Sequence, residues 1–181
     1  MYRFRHYCYL SGMLAHYPPY QTFPTLTSKQ IILRQLVDTD AAEILEISFY
    51  DGVQAVDPAE ATEMQRKINQ DYLDGHSIHW GIVDPESEML VGTCGYYRGF
   101  ADQTGELGYI LKSAYQGKGL MTKALEQAIE FGIHTMGLQK IIAVTERDNL
   151  KSQQVLSRLG FLEESKDKNY ITYSYPIKSQ A

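Results

Sequence analysis

Tyr115-Gln116-Gly117-Lys118-Gly119-Leu120-Met121 is the stretch whose reading decides the fold. It joins an apolar, strand-like run from Glu106 to Leu111 to a long helix-like run from Leu120 to Met136. A strand, a glycine-broken turn and a helix start together make an anion cradle. Free N–H groups at a helix N-terminus point outward, and the aligned peptide dipoles favour negative charge there. Gly117 and Gly119 carry no Cβ, so the backbone can approach a ligand closely. Lys118 adds a positive charge at the mouth, although a solvated surface lysine is an equally good reading of it.

Outward from the loop, the clearest helix follows. Met121, Ala124, Leu125, Ala128, Ile129, Gly132, Ile133 and Met136 recur at three- and four-residue steps and form one apolar stripe, which is core packing. Lys140 to Thr145 reads as a short buried strand. Asn149 opens a short helix, Leu150 to Leu159, stopped by Gly160. Phe161 to Glu163 and Tyr170 to Tyr175 read as the last two strands.

Before the loop, Ile31 to Leu36 reads as a first strand. Asp38 or Thr39 caps an expected helix from Asp40 to Ile47, and Phe49-Tyr50-Asp51-Gly52 is a turn. Pro58 opens a second helix that Asp74-Gly75 closes. Ser77 to Asp84 alternates as a strand, Pro85 to Glu88 is a hairpin turn, and Met89 to Tyr97 is the next strand. Residues 1–29 differ from the rest. They are rich in Tyr and Pro, and the folded domain is expected to begin near Gln30. Arg3, Arg5 and His6 precede a semi-apolar run from Tyr7 to Ala15, which has the outline of a signal peptide. Ser11 and Gly12 break that run, so it reads as an appended arm, with Met13 a rival start. Its aromatics offer a surface to the domain or to a partner subunit, which would give a homodimer.

A chain of 181 residues suits one domain with a proper core. A 44% hydrophobic and 22% charged composition is ordinary for a soluble globular protein. The net charge of −5 has the wrong sign for a dedicated nucleic-acid binder. No apolar run approaches the roughly 20 residues of a membrane span. Cys8 and Cys94 give neither a disulfide framework nor a metal spacing, so a reducing cytoplasm is the expected compartment. The five histidines are scattered, and no metal site is expected.

The order and motifs together resemble the Gcn5-related N-acetyltransferase (GNAT) superfamily. That family's cofactor loop follows Gln/Arg-x-x-Gly-x-Gly/Ala. Gln116, Gly119 and Met121 stand at those positions, the last departing from the plain pattern. Asn149-x-x-Ser152-x-x-Val155-Leu156-x-x-Leu159-Gly160-Phe161 is similar to the family's second signature. Glu106-Leu107-Gly108-Tyr109, and the opening Leu33-Arg34-Gln35-Leu36 with Asp40-Ala41, look like the ribosomal-protein RimJ/RimL-like branch. The resemblance covers roughly residues 28 to 176. It implies an α+β fold in α/β/α layers. A single GNAT-like domain (30–181) would carry a mixed, mostly antiparallel central sheet splayed around the cofactor.

It also implies acetyl-CoA as cofactor and acetyl transfer to a primary amine. The acceptor is either a protein N-terminal α-amine or a small-molecule amine. A non-catalytic acyl-CoA-binding or sensing module on the same fold is the alternative. The loop from Gln116 through Gly117, Lys118, Gly119 and Leu120 to Met121 would hold the pyrophosphate. Tyr109, Ile110 and Leu111 would offer backbone hydrogen bonds to the pantetheine, and Asn149 a side-chain one. Glu106, which shares a strand face with Gly108, would be a general base working through water. A lysine-type amine costs about 4.6 kcal/mol to deprotonate at pH 7 and an α-amine only about 1.0–1.4 kcal/mol, so a water-relayed base suits an α-amine best. Many family members place a tyrosine seven residues after the asparagine to protonate the leaving thiolate. Leu156 stands there, and Ser152 takes that role in the RimL-like branch. Tyr50, Asp51, Tyr96, Tyr97 and Phe100 would line an aromatic acceptor pocket with one carboxylate for an ammonium. His79 and Trp80 face opposite sides of their strand, so one of them lines that pocket and the other packs in the core.

Overall fold

The computed structural model describes residues 16–40 and 43–177. The sequence readings that fall on residues 1–15, including the signal-like run and Met13, lie outside the described residues.

An eight-stranded sheet organises the chain. Its strands are β1 (Leu26–Thr27), β2 (Ile32–Arg34), β5 (Ile78–Val83), β6 (Leu90–Tyr97), β7 (Thr104–Leu111), β8 (Lys140–Glu146), β9 (Leu162–Lys166) and β10 (Tyr170–Tyr175). They lie in the order β1-β2-β5-β6-β7-β8-β10-β9. Every pairing is antiparallel except β7 with β8. The expected mixed, mostly antiparallel sheet is therefore present.

The parallel pair is short. Strand β7 meets β8 only at Thr104, Gly105 and Glu106, opposite Lys140, Ile141 and Ile142. Beyond Glu106 each strand keeps its outer partner: β7 stays paired to β6 as far as Leu111, and β8 to β10 as far as Glu146. The sheet thus opens in its middle. Backbone N–H and C=O groups along the opening need partners, because buried main-chain polar groups are rarely left alone.

Three α-helices are seen among the described residues: α1 (Pro58–Leu73), α2 (Leu120–His134) and α3 (Leu150–Arg158). Helix α1 starts where Asp57 accepts the Glu60 N–H and Pro58 sets the first turn. Helix α2 buries the stripe read from the sequence, including Met121, Ala124, Leu125 and Ala128. Helix α3 begins at Asn149, whose side chain accepts the Ser152 N–H.

The helix expected from Asp40 to Ile47 is not a regular helix in the described residues. Short 3-10 turns at Asp38–Asp40 and Leu45–Ile47 stand there instead. The Asp40 carboxylate is held by the Arg34 guanidinium at 2.7 and 2.9 Å and by the Val37 N–H at 2.8 Å. Burial opposes its charge, but these donors outweigh it and hold the carboxyl below its ordinary range. Ile44 and Ile47, three residues apart, both bury beside Leu36 and Leu90. A 3-10 turn aligns residues at that spacing. The turn at Phe49–Gly52 is the tip of a hairpin between β3 (Phe49–Tyr50) and β4 (Val53–Gln54). Asp51 and Gly52 both take positive φ there, as a two-residue hairpin turn demands.

The packed chain also begins earlier than Gln30. Tyr17 stacks on Phe100, Phe23 packs on Tyr72 and Trp80, and Pro24 O accepts the Trp80 indole N–H at 2.8 Å. Large aromatic area drives this burial, and it seats the described part of the arm on the chain's own core.

Candidate active site at the opening of the sheet

The glycine loop lies between β7 and α2. Gly117 and Gly119 have φ of 77° and 78°, a left-handed conformation that a side chain disfavours. Gly119 is the N-cap of α2 and, having no side chain, accepts none of the first-turn N–H groups through one. A Cβ at Gly117 or Gly119 would meet no protein atom within 4 Å, so both residues face open space. Met121 sits in the helix proper, with its side chain in the core. Its departure from the glycine or alanine of the pattern therefore costs the loop nothing. Gln116 pins the loop at both ends: its amide donates to Leu111 O at 3.2 Å, and its oxygen accepts from Lys151 Nζ at 2.9 Å.

A cleft of about 750 Å³ runs from this loop into the opening between β7 and β8. Its walls include Tyr109, Ile110, Leu111, Gln116, Gly117, Gly119, Leu120, Met121, Asn149 and Ser152, all singled out from the sequence as cofactor residues. Lys118 is the exception. Its ammonium lies over the Tyr115 ring, 5.2 Å from the centroid, and it lines neither cavity. Sequence reasoning missed Lys151 and Arg158, which do line the cleft. Their i, i+7 spacing puts them on one face of α3 with Val155, a signal that was available. Both bring positive charge to a cleft already suited to an anion.

A second cavity, of about 670 Å³, lies on the other side of β7. Gln65, Ile68 and Asp71 of α1 form one wall, at helical spacing. The tip of the β3–β4 hairpin forms another, with Tyr50 donating to Asp71 Oδ2 at 3.2 Å. The sheet supplies His79, Tyr97 and Gly108. Register explains this: His79 pairs with Gly95, and Gly95 with Gly108, so all three share one face. A Cβ on Gly108 would come within 2.8 Å of the Tyr97 ring, so only glycine fits this floor.

Of the residues expected around the acceptor, Tyr50, Asp51, His79 and Tyr97 line this cavity. Phe100 does not, being buried and stacked on Tyr17, and neither do Trp80 and Tyr96. Each is fully buried on the opposite face, Trp80 against Phe131 and Tyr96 with its hydroxyl donating to Ala128 O at 2.9 Å. Alternation along β5 and β6 forces this separation from His79 and Tyr97. His79 Nδ1 lies 2.5 Å from the Tyr97 hydroxyl. Burial pushes the imidazole down to about 4, so it is neutral at pH 7.

Glu106 stands opposite Tyr97 across the β6–β7 pair. Its carboxylate is ion-paired with Arg98, itself a lining residue of this cavity, and is not itself in the wall of either cavity. Leu156, at the position where many GNAT members carry tyrosine, is fully buried. A different tyrosine comes to the site. The Tyr109 hydroxyl is 2.8 Å from Ser152 Oγ. Burial pushes the phenol up to about 12, partly offset by its hydrogen bond with Ser152. Among the described residues no His, Cys, Asp or Glu cluster could hold a metal ion, and no helix is long and apolar enough to cross a membrane.

Residues 30–162 match the family described as Acetyltransferase (GNAT) domain. The chain belongs to the GNAT acetyltransferase family. Bacillus subtilis YjcK, named as a probable N-acetyltransferase, is 33% identical over 153 residues, which is 77% of this chain and 84% of YjcK. The [ribosomal protein uS5]-alanine N-acetyltransferase of Escherichia coli is 33% identical over 107 residues, 58% of this chain and 55% of that protein. The fold is shared with RimL, a ribosomal L7/L12 alpha-N-protein acetyltransferase solved in complex with coenzyme A. The TM-score is 0.74 at 14% identity, over 84% of this chain and 97% of RimL. This GNAT protein is thus an N-acetyltransferase.

Proposed function

We propose that this GNAT chain moves the acetyl group of acetyl-CoA to a primary amine by direct transfer, with residues 30–181 as the catalytic unit. The observation that carries the reading is the meeting of the two cavities. The cleft under the glycine loop and the cavity beneath α1 share Gly108, Tyr109 and Ile110. An acyl donor lying in one and an amine entering from the other would meet at those residues.

The cleft fits coenzyme A. Its loop end presents the first N–H groups of α2, uncapped by Gly119, with Lys151 and Arg158 nearby. Its inner end presents the strand edge freed where β7 and β8 part, which suits the amides of a pantetheine arm. A β7 N–H facing the thioester carbonyl acts as the oxyanion donor. Asn149 has its side-chain oxygen committed to the Ser152 N–H, leaving its NH₂ group as the donor to the arm. Ser152 delivers the proton to the departing thiolate.

Glu106 is the general base, reaching the amine through water. Its ion-pair partner Arg98 lines the acceptor cavity, which supports this role. The acceptor is an α-amine of a protein N-terminus or a small amine, and Asp51 and Asp71 favour a cationic one. Relatives named for ribosomal-protein N-termini support the first of these.

Thiol release from acetyl-CoA, measured over a panel of peptides and small amines, tests this. Turnover on at least one amine is expected. In the same assay Glu106→Gln lowers kcat by about 100-fold with acetyl-CoA binding intact. Binding without turnover over the whole panel would instead support an acyl-CoA sensor. A wild-type rate in Glu106→Gln removes Glu106 from the mechanism.

A further inference from the structure

Leu156 leaves this chain without the tyrosine that many GNAT members use at the sulphur, yet a tyrosine hydroxyl does stand beside Ser152. It comes from β7, 43 residues away in sequence. Tyr109 and Ser152 line the same cleft, and their oxygens are 2.8 Å apart. Helix α3 fixes Ser152 through the Asn149 cap, at 3.0 Å. Strand β7 fixes Tyr109 opposite Cys94 in the sheet. Two hydroxyls held from two rigid elements make a designed contact rather than a chance one.

Resting on the acetyl-transfer reading, we propose that Tyr109 is a positioning residue. Its hydroxyl donates to Ser152 Oγ and so turns the Ser152 hydroxyl hydrogen toward the departing sulphur. A serine hydroxyl otherwise rotates freely among acceptors. With one lone pair of Oγ occupied by Tyr109, its hydrogen is left for the new acceptor.

The phenol suits that task. At about 12 it keeps its proton throughout the working range. It remains a fixed donor.

The amine nitrogen bonds to the acetyl carbon, the C–S bond breaks, and its electron pair stays on sulphur. Sulphur takes the Ser152 hydrogen. Ser152, which is half-buried, takes a proton from water in the cleft as it gives its own to sulphur, so no alkoxide forms, and the proton released by the amine restores the balance.

The test compares Tyr109→Phe, Ser152→Ala and the double variant with acetyl-CoA and with phenyl thioacetate, whose aryl thiolate leaves without needing a proton. With acetyl-CoA, kcat is expected to fall about 10-fold in Tyr109→Phe and about 30-fold in Ser152→Ala. The double variant is expected to fall no further than Ser152→Ala, because one residue acts through the other. Phenyl thioacetate recovers most of each loss. Calorimetry should show coenzyme A affinity within about 3-fold of wild type in both single variants.

In the unliganded protein, the ¹³Cζ resonance of Tyr109 should move on Ser152→Ala. An unmoved resonance, an equal loss on phenyl thioacetate, or multiplying losses in the double variant overturns the positioning role. A wild-type rate in Tyr109→Phe overturns it while leaving acetyl transfer intact. Absence of turnover in the wild type on every amine overturns the acetyl-transfer reading and this role with it.

Discussion

Gly119→Trp abolishes coenzyme A binding. Isothermal calorimetry should show affinity falling by at least about 100-fold, a loss of roughly 2.7 kcal/mol. The reason is local. Gly119 is the N-cap of α2, at φ 78°, and the space beside it is open to the cleft rather than filled by protein. An indole there covers the N–H groups of the first turn, which are the part of the helix that attracts a phosphate. The fold itself survives, because no protein atom lies where the Cβ would sit. The left-handed backbone adds a cost of about 1–2 kcal/mol in stability, visible as a modest drop in Tm. Gly119→Ala carries that backbone cost without the bulk, and should therefore bind with an intermediate affinity. Wild-type affinity in Gly119→Trp would place the pyrophosphate elsewhere.

The largest effect on stability is expected at Trp80. Trp80→Ala should cost about 3–5 kcal/mol in urea unfolding, in the range of large aromatic deletions from cores. The side chain has no exposed surface. It meets Phe131 edge-on with centroids 5.3 Å apart, meets Phe23 at 6.4 Å, and donates to Pro24 O. Removing it leaves a cavity between α2 and the arm and an acceptor without its donor. His79→Ala, one residue away, should cost far less and should act on the acceptor KM instead, since His79 lines the open cavity. A loss below about 1.5 kcal/mol for Trp80→Ala would mean the arm does not pack as described.

That pair of neighbours shows what the sequence could and could not disclose. Alternation along a strand told that His79 and Trp80 face opposite ways, but not which way was inward. The answer lies in partners far along the chain, Phe23, Phe131 and Tyr97. Features set by short-range rules were legible: the glycine loop, the apolar stripe of α2 and the Asn149 cap. Among the described residues, the stretch read as a helix from Asp40 to Ile47 shows 3-10 turns at Asp38–Asp40 and Leu45–Ile47, with Asp40 tied to Arg34, a contact that helix propensity does not see. Tyr96 was misplaced because the same alternation, which sets it on the face opposite Tyr97, was not applied to that pair. Ser152 was singled out from its motif, but its contact with Tyr109 spans two elements that only folding brings together. Lys151 and Arg158 were within reach of the sequence, because their helical spacing already put them on one face with Val155.

The two cavities meet at β7. A crystal structure of the protein with acetyl-CoA and an unreactive amine analogue measures this directly. The pyrophosphate is expected over Gly117 to Met121, the pantetheine in the gap between β7 and β8, and the thioester carbon at Gly108 to Ile110 with the analogue approaching from the α1 side. A pyrophosphate away from the glycine loop, or a thioester turned from the cavity beneath α1, would contradict it.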